Sequence, residues 1–287
     1  TRIAHIIHGW PPKSMGGTGL YVDAIATEQA RSGHPTAIVA PHPGQTTKKE
    51  DLDSPVEHWR VETSRVHKWM DTWNGSLHGW NDWYTHWQPD VVHIHHLSGW
   101  PLSLIEATHC RTVLTLHDYS IPCARGQLMT RDIEPCRGPD PSQCTQCLGP
   151  ALRTHPLLEQ ASKALRPFPK ISNTARRILS TRGSTFKPSV HQRITAAKRA
   201  IHAADAVLAP SNDLIQRMVH MGYPEAKRIE LPLLREATQT AHITEGPVRF
   251  LFASTIIPTK GPDRLIEAFL ALREEATLTI AGHAPDF

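Results

Sequence analysis

Ile3-Ala4-His5-Ile6-Ile7-His8-Gly9-Trp10-Pro11-Pro12-Lys13-Ser14-Met15-Gly16-Gly17-Thr18-Gly19-Leu20 is the stretch that decides the fold. Ile3 to Ile7 is a short apolar run that reads as a buried strand. Leu20 to Ser32 is helical and stops at Gly33, a residue suited to the left-handed conformation after a helix. Ala37 to Ala40 gives a second strand. Strand, loop, helix and strand form the repeating unit of a parallel α/β fold. Gly16 and Gly17 lack side chains, so a ligand can come close to their backbone. They precede a helix N-terminus, where unpaired N–H groups and the helix dipole favour an anion such as phosphate. The spacing is not G-x-G-x-x-G, and no Gly-Lys-Ser/Thr follows, so neither the dinucleotide fingerprint nor the P-loop applies. The plain alternative is a glycine turn that only joins strand to helix.

The 287 residues are enough for one to two domains with a sizeable core. Lys and Arg total 31 against 27 Asp and Glu, a net charge of +4 that does not call for nucleic acid. No apolar run approaches the length of a membrane span. The sequence enters a strand directly and shows no secretory signal, so the expected location is cytoplasmic.

Outward from the first unit, residues 41–55 read as a surface loop and Val56 to Val61 as a short strand. Trp69, Trp73, Leu77, Trp80, Tyr84 and Trp87 recur at helical spacing, a face packed on the sheet in preference to a sugar- or lipid-facing wall. Gly75 and Gly79 weaken that helix. Val91 to His96 is a buried strand ending in histidines. His93 and His95 share one face, while His96 points away. With no carboxylate partner for these histidines, lining a cleft is favoured over holding a metal. Arg111 to Leu116 is the next strand and ends at His117-Asp118-Tyr119. Ligands of open parallel sheets bind beyond the carboxyl ends of the strands, which makes His117 and Asp118 site candidates. A histidine there can donate a hydrogen bond to a substrate oxygen or move a proton.

The cysteines then gather. Cys123, Cys136, Cys144 and Cys147 lie amid Pro, Gly and Asp, in a loop with no evident core of its own. A reducing compartment favours a structural zinc over disulfides, and Cys144 with Cys147 has zinc-site spacing. A disulfide or redox pair and free thiols are the other readings. Residues 160–204 carry Lys and Arg but no Asp or Glu. Such a stretch offers contact with anionic lipid, an anionic substrate, or merely a solvated face. Ala206 to Ala209 returns to a buried strand, and Ser211 is a fitting N-cap for a helix to Met221. Arg228 to Leu233 reads as a further strand and residues 235–247 as a linker. A second α/β unit follows: strand Val248 to Ala253, helix Pro262 to Leu272, strand Thr277 to Ala281. Lys260-Gly261 immediately before that helix is a second phosphate-type arrangement.

In this order the residues resemble glycosyltransferase family 4, of the GT-B fold. The matching segments are the Gly16-Gly17 loop, Ser32-Gly33-His34-Pro35-Thr36, Pro89-Asp90-Val91-Val92-His93 and His117-Asp118-Tyr119. Further on they are Arg125-Gly126-Gln127 with the cysteines, Ala204-Asp205-Ala206-Val207 to Pro210-Ser211, and Pro258-Thr259-Lys260-Gly261 with Leu265-Ile266-Glu267-Ala268. The resemblance implies an acceptor-side Rossmann-like domain over 1–240, with a cysteine-containing insertion at 120–150. It implies the opening of a nucleotide-sugar-binding domain over 241–287. The implied reaction is retaining transfer of a sugar from a nucleotide diphosphate donor to a glycan, lipid-linked or other glycoconjugate acceptor, in cell-surface glycan assembly. No cofactor is required for it. Gly16, Gly17, Lys260 and Gly261 would hold the donor diphosphate, and His117 with Asp118 would stand near the transferred sugar. The family usually carries an Arg where Thr255 stands. Its E-x7-E motif lies beyond Phe287, so the resemblance covers only the first part of the second domain. Two rivals remain: a nucleotide-sugar epimerase of the same fold, and a non-catalytic, zinc-stapled module docking on a membrane or partner.

Overall fold

The computed structural model describes residues 1–12, 16–64, 76–130, 133–148, 187–231 and 246–284. The chain divides into two units, Thr1–Leu128 with Cys136–Leu234, and Met129–Pro135 with Arg235–Phe287.

The first unit is built on eight strands: β1 (Ile3–Ile6), β2 (Thr36–Pro43), β3 (Lys48–Glu50), β4 (Glu57–Thr63), β5 (Val91–Ile94), β6 (Arg111–Thr115), β7 (Ala206–Ala209) and β8 (Lys227–Arg228). Their order across the sheet is β3-β4-β2-β1-β5-β6-β7-β8. Every pairing is parallel except β3 with β4, at one edge. Strands buried on both faces carry continuous apolar runs, as Ala37 to Ala40 do in β2. Chain direction across the sheet reverses between β1 and β5. That break is where a doubly wound sheet opens a crevice at its carboxyl edge.

Helix α1 (Gly17–Arg31) covers one face. Its buried Val22 and Ala26 pack with Ile7, Trp10, Ile38, Ala40 and Val56. The other face meets α2 (His78–Trp87) and, beyond α3 (Pro141–Leu148), also α4 (Lys187–Ala203) and α5 (Asn212–His220). There Ala4, Ile6, Val39 and Ile94 contact a larger cluster that includes Trp80, Trp83, Ala200, Ile201 and Met218. Ser211 caps α5 as its sequence suggests, accepting from the Leu214 N–H at 3.2 Å.

Several readings change in detail. Residues 41–55 are not all loop, because β2 runs on to Pro43 and β3 adds an antiparallel edge. The tryptophan face is packed against the sheet, but α2 starts at His78, and Trp83 joins Trp80 and Trp87 in the core. The Trp83 and Trp87 rings stack 5.4 Å apart. Trp69 and Trp73 lie outside the described residues. Gly79 has a packing reason that helix propensity hides: a Cβ there would sit 2.5 Å from the Glu62 carbonyl oxygen. The cysteine segment holds α3, whose Leu148 is buried against Val190. Of the basic stretch, residues up to 186 lie outside the described residues. Arg193 turns inward, and Arg199 pairs with Glu106 at 3.2 Å.

The second unit contains β9 (Val248–Ala253), α6 (Pro262–Leu270) and β10 (Ala276–Ala281). The two strands pair in parallel from Val248 opposite Ala276 to Ala253 opposite Ala281. Val248, Phe250 and Leu251 on β9 and Leu270 on α6 are exposed.

The close approach at Gly79 yields a direct test. Gly79→Ala should cost about 1–3 kcal/mol through overpacking against β4. A urea midpoint lowered at unchanged slope supports this; an unchanged or raised midpoint contradicts it.

Candidate functional site

The crevice is assembled from strand ends. His8 follows β1, His95 and His96 follow β5, and His117 and Asp118 follow β6. Gly16 and Gly17 open α1, with Gly16 as its N-cap in an extended conformation. Among the described residues, a Cβ on either glycine would meet nothing within 4 Å. Lys13 to Met15 lie outside the described residues. Tyr21, one turn into α1, sets its ring edge-on to His95 and His117, with centroids 5.8 and 5.6 Å away.

Strand register explains the histidines. His5 stands opposite His93 across the β1–β5 pair, and alternation carries His95 onto the same face. His93 hydrogen-bonds Thr115 on β6 at 2.7 Å. Burial pulls His5 down to a pKa of about 4 and His93 to about 3. It holds His95 well below the usual value, with His93, His5 and His117 adding to the effect. His117 falls to about 4 by burial, despite the neighbouring Asp118 carboxylate. These rings are therefore neutral at physiological pH.

His96 turns away from that group, as alternation predicts, and finds a carboxylate that sequence proximity did not reveal. Its Nε2 lies 3.3 Å from an Asp118 oxygen, and its Nδ1 accepts from the Ser98 N–H at 3.1 Å. A backbone N–H can only donate, so His96 carries its proton on Nε2 and donates to Asp118. The other Asp118 oxygen accepts from the Ser120 N–H at 2.8 Å. Burial works to raise the Asp118 carboxyl, yet the contacts with His96 and Ser120 hold it below its ordinary value. Asp118 is thus an oriented, ionised acceptor at the crevice edge. Beside it opens a pocket of about 260 Å³, lined by His96, Leu97, Asp118, Ser120, Arg125 and Arg193 among others. Arg193 straps the pocket wall, donating to the carbonyls of Ser120, Ile121 and Pro122 at 3.1–3.4 Å.

Two further predicted groups are Lys260 with Gly261 and the four clustered cysteines. In the second unit, Lys260 ends a short 3-10 turn and is exposed. Gly261, at φ 66°, makes the left-handed corner into α6, a conformation that favours glycine. None of Cys123, Cys136, Cys144 and Cys147 forms a disulfide. Burial raises the Cys144 thiol to about 11, and the other three cysteines add to the effect, so the four are neighbours. Among the described residues, though, no three of them bring ligand atoms within 4.8 Å; His5, His93 and His95 do. Sequence reasoning did not single out His5, Gln29, Tyr21 or Arg193. Nothing local marks them, since each acquires its place through pairing or packing of distant segments.

Comparison with known proteins agrees with this frame. Residues 15–134 match the model described as Glycosyltransferase Family 4. The fold is a mainly parallel α/β arrangement of the GT-B type. Sucrose-phosphate synthase from Thermosynechococcus elongatus superposes with a TM-score of 0.57 at 12% identity, over 98% of this chain and 62% of that one. The chain therefore spans about three-fifths of the synthase's length. A structure described as trehalose-6-phosphate from E. coli bound with UDP-2-fluoro glucose aligns over 77% of this chain and 42% of that one, at 9% identity and a TM-score of 0.35. No curated protein matches the chain. Among the described residues, no helix is long and apolar enough to cross a membrane.

The neutral histidines predict an acid-sensitive fold. Unfolded histidine titrates near pH 6.5, whereas His5 and His93 bind protons only near pH 4 and 3 when folded. Below pH 6.5 the unfolded chain holds more protons, so the stability present above that pH declines as pH falls towards the folded values. Each such ring adds up to about 1.4 kcal/mol per pH unit to the slope. Denaturation midpoints should drop clearly between pH 7.5 and 5; equal midpoints would mean that the rings are not held neutral.

Proposed function

We propose that this chain belongs to a retaining glycosyltransferase that moves a sugar from a nucleotide diphosphate donor to a glycan, lipid-linked or other glycoconjugate acceptor. The observation that carries the reading is the convergence of the Gly16-Gly17 helix start, His117 and oriented Asp118 at the carboxyl edge of one sheet, in a span matching a glycosyltransferase family. Breaking a glycosyl–phosphate bond leaves negative charge on the departing oxygens. Amides and cations already in place lower the barrier without reorganising. Among the described residues nothing obstructs the backbone of Gly16 and Gly17, and in the second unit Lys260 beside Gly261 at the start of α6 supplies an ammonium group suited to a phosphate. His117 faces the transferred sugar, and the pocket beside Asp118 takes the acceptor. Asp118 stays ionised there and accepts a hydrogen bond from an acceptor hydroxyl.

The test is a transfer assay with a panel of nucleotide sugars and glycan acceptors. Lys260→Ala and His117→Ala should each lower kcat/KM by about a hundredfold or more, the scale of losing one preorganised electrostatic contact. Absence of both transfer and donor hydrolysis in the unaltered chain, or a Lys260→Ala variant equal to it, would overturn the reading. Acceptor-free interconversion of donor sugars would identify an epimerase instead.

For the cysteine segment the proposal is a structural zinc on Cys123, Cys136, Cys144 and Cys147, supported by thiol chemistry and by the mutual proximity of the four. Ligation requires the sulfurs to close from their separation in the structure. Purified reduced protein should contain one zinc per chain that Cys144→Ser loses. A metal content near zero removes the idea.

A further inference from the structure

Four side chains form an unbroken line beneath α1, from its interior to the crevice. Gln29 Oε1 lies 2.7 Å from His5 Nε2. His5 Nδ1 lies 3.0 Å from His95 Nε2, and His95 Nδ1 lies 3.1 Å from His117 Nε2. His5 is fully buried and His95 nearly so. Both use each of their ring nitrogens within the line. A neutral imidazole has one N–H and one lone pair, so the direction of any one bond fixes all the others.

Gln29 presents its amide oxygen to His5, and an amide oxygen only accepts. His5 therefore carries its proton on Nε2 and offers a lone pair at Nδ1. His95 must then donate from Nε2 and accept at Nδ1. His117, by the same rule, donates from Nε2. Its remaining nitrogen, Nδ1, is left with a lone pair. Of the two roles the sequence leaves open for His117, donating to a substrate oxygen or moving a proton, this tautomer does not serve the first through Nδ1.

We propose that Gln29, His5 and His95 are positioning residues forming a tautomer relay, which holds His117 Nδ1 as a hydrogen-bond acceptor for a hydroxyl of the sugar substrate. The identity of that hydroxyl's owner rests on the sugar-transfer reading; the tautomer of His117 does not. Turning the Gln29 amide over would reverse every bond in the line and make Nδ1 a donor. One half-buried amide thus governs the chemistry of a ring two imidazoles away. His93 stacks on His95 with centroids 3.9 Å apart but bonds Thr115, outside the line.

The experiment is a long-range proton–nitrogen NMR correlation of the full chain, labelled with nitrogen-15 at histidine, at pH 7.5. His5, His95 and His117 should each show the proton on Nε2. In Gln29→Leu the constraint is gone, and His117 should become a mixture of tautomers. Gln29→Glu, whose carboxylate can only accept, should keep the parent pattern. A parent spectrum with the His117 proton on Nδ1 overturns the relay, as does a Gln29→Leu spectrum in which His117 is unchanged. If Gln29→Leu does not fold, the parent spectrum decides alone. An ion bound by His5 and His95, seen as one transition metal per chain that remains in Cys144→Ser protein, would break the line and also overturn it. Where transfer is measurable, an even mixture of tautomers should lower kcat by about twofold, because only one of two states is competent. A correct spectrum in a chain without transfer activity would remove the sugar-transfer reading and leave the relay standing.

Discussion

Parallel pairing of β1 with β5, and of β5 with β6, is the constraint on which the rest depends. It places His5 opposite His93 and His93 opposite Val113. With alternation along each strand, one face of three central strands then carries His5, His93, His95, Thr115 and His117. A slip of one residue in any pairing would turn these groups to the opposite face, where Ala4, Ile6, Ile94 and Leu114 belong to an apolar cluster with the α2 tryptophans. Register thus sorts the sheet into an apolar face and a face with a polar seam.

A buried polar seam is costly unless its members satisfy one another. Here they do: each nitrogen that turns inward from His5 and His95 finds another ring or the Gln29 amide. In a medium of low polarisability such bonds are strong and directional, and a missing partner is correspondingly expensive. The seam therefore rigidifies the strand ends that carry His117, while the backbone of Ser98 and Ser120 does the same for His96 and Asp118. Rigid placement matters at a site whose task is to meet developing charge, since groups that need not move lower the barrier most.

Much of the frame was legible in the sequence. β1, its glycine loop and α1 announced themselves through an apolar run, a helical segment and Gly33. His117 and Asp118 were readable because strand ends are where parallel sheets do chemistry. What escaped was set by contacts between segments far apart in the chain. His5 meets His95 across 90 residues, and Arg193 straps Ser120 across 73. No window of sequence contains either pair. Trp83 was passed over because a heptad-like count picked the neighbouring Tyr84, although both lie on the packed side of α2. Arg193 looked like one charge in a basic stretch, and only packing shows it serving the loop carbonyls. Gly79 looked like a weak spot in a helix and is instead the point where α2 touches β4.

The glycine-led helix start and the histidine–aspartate strand end must serve one ligand if the crevice is a sugar-transfer site. The direct measurement is a titration of the nitrogen-15-labelled full chain with a nucleotide-sugar panel, following backbone amides. At least one member should shift the amides of Gly16, Gly17, His117 and Asp118 together, along one saturable curve. Saturable binding that moves other amides and leaves these four still would contradict a donor site at the β1–β5 break.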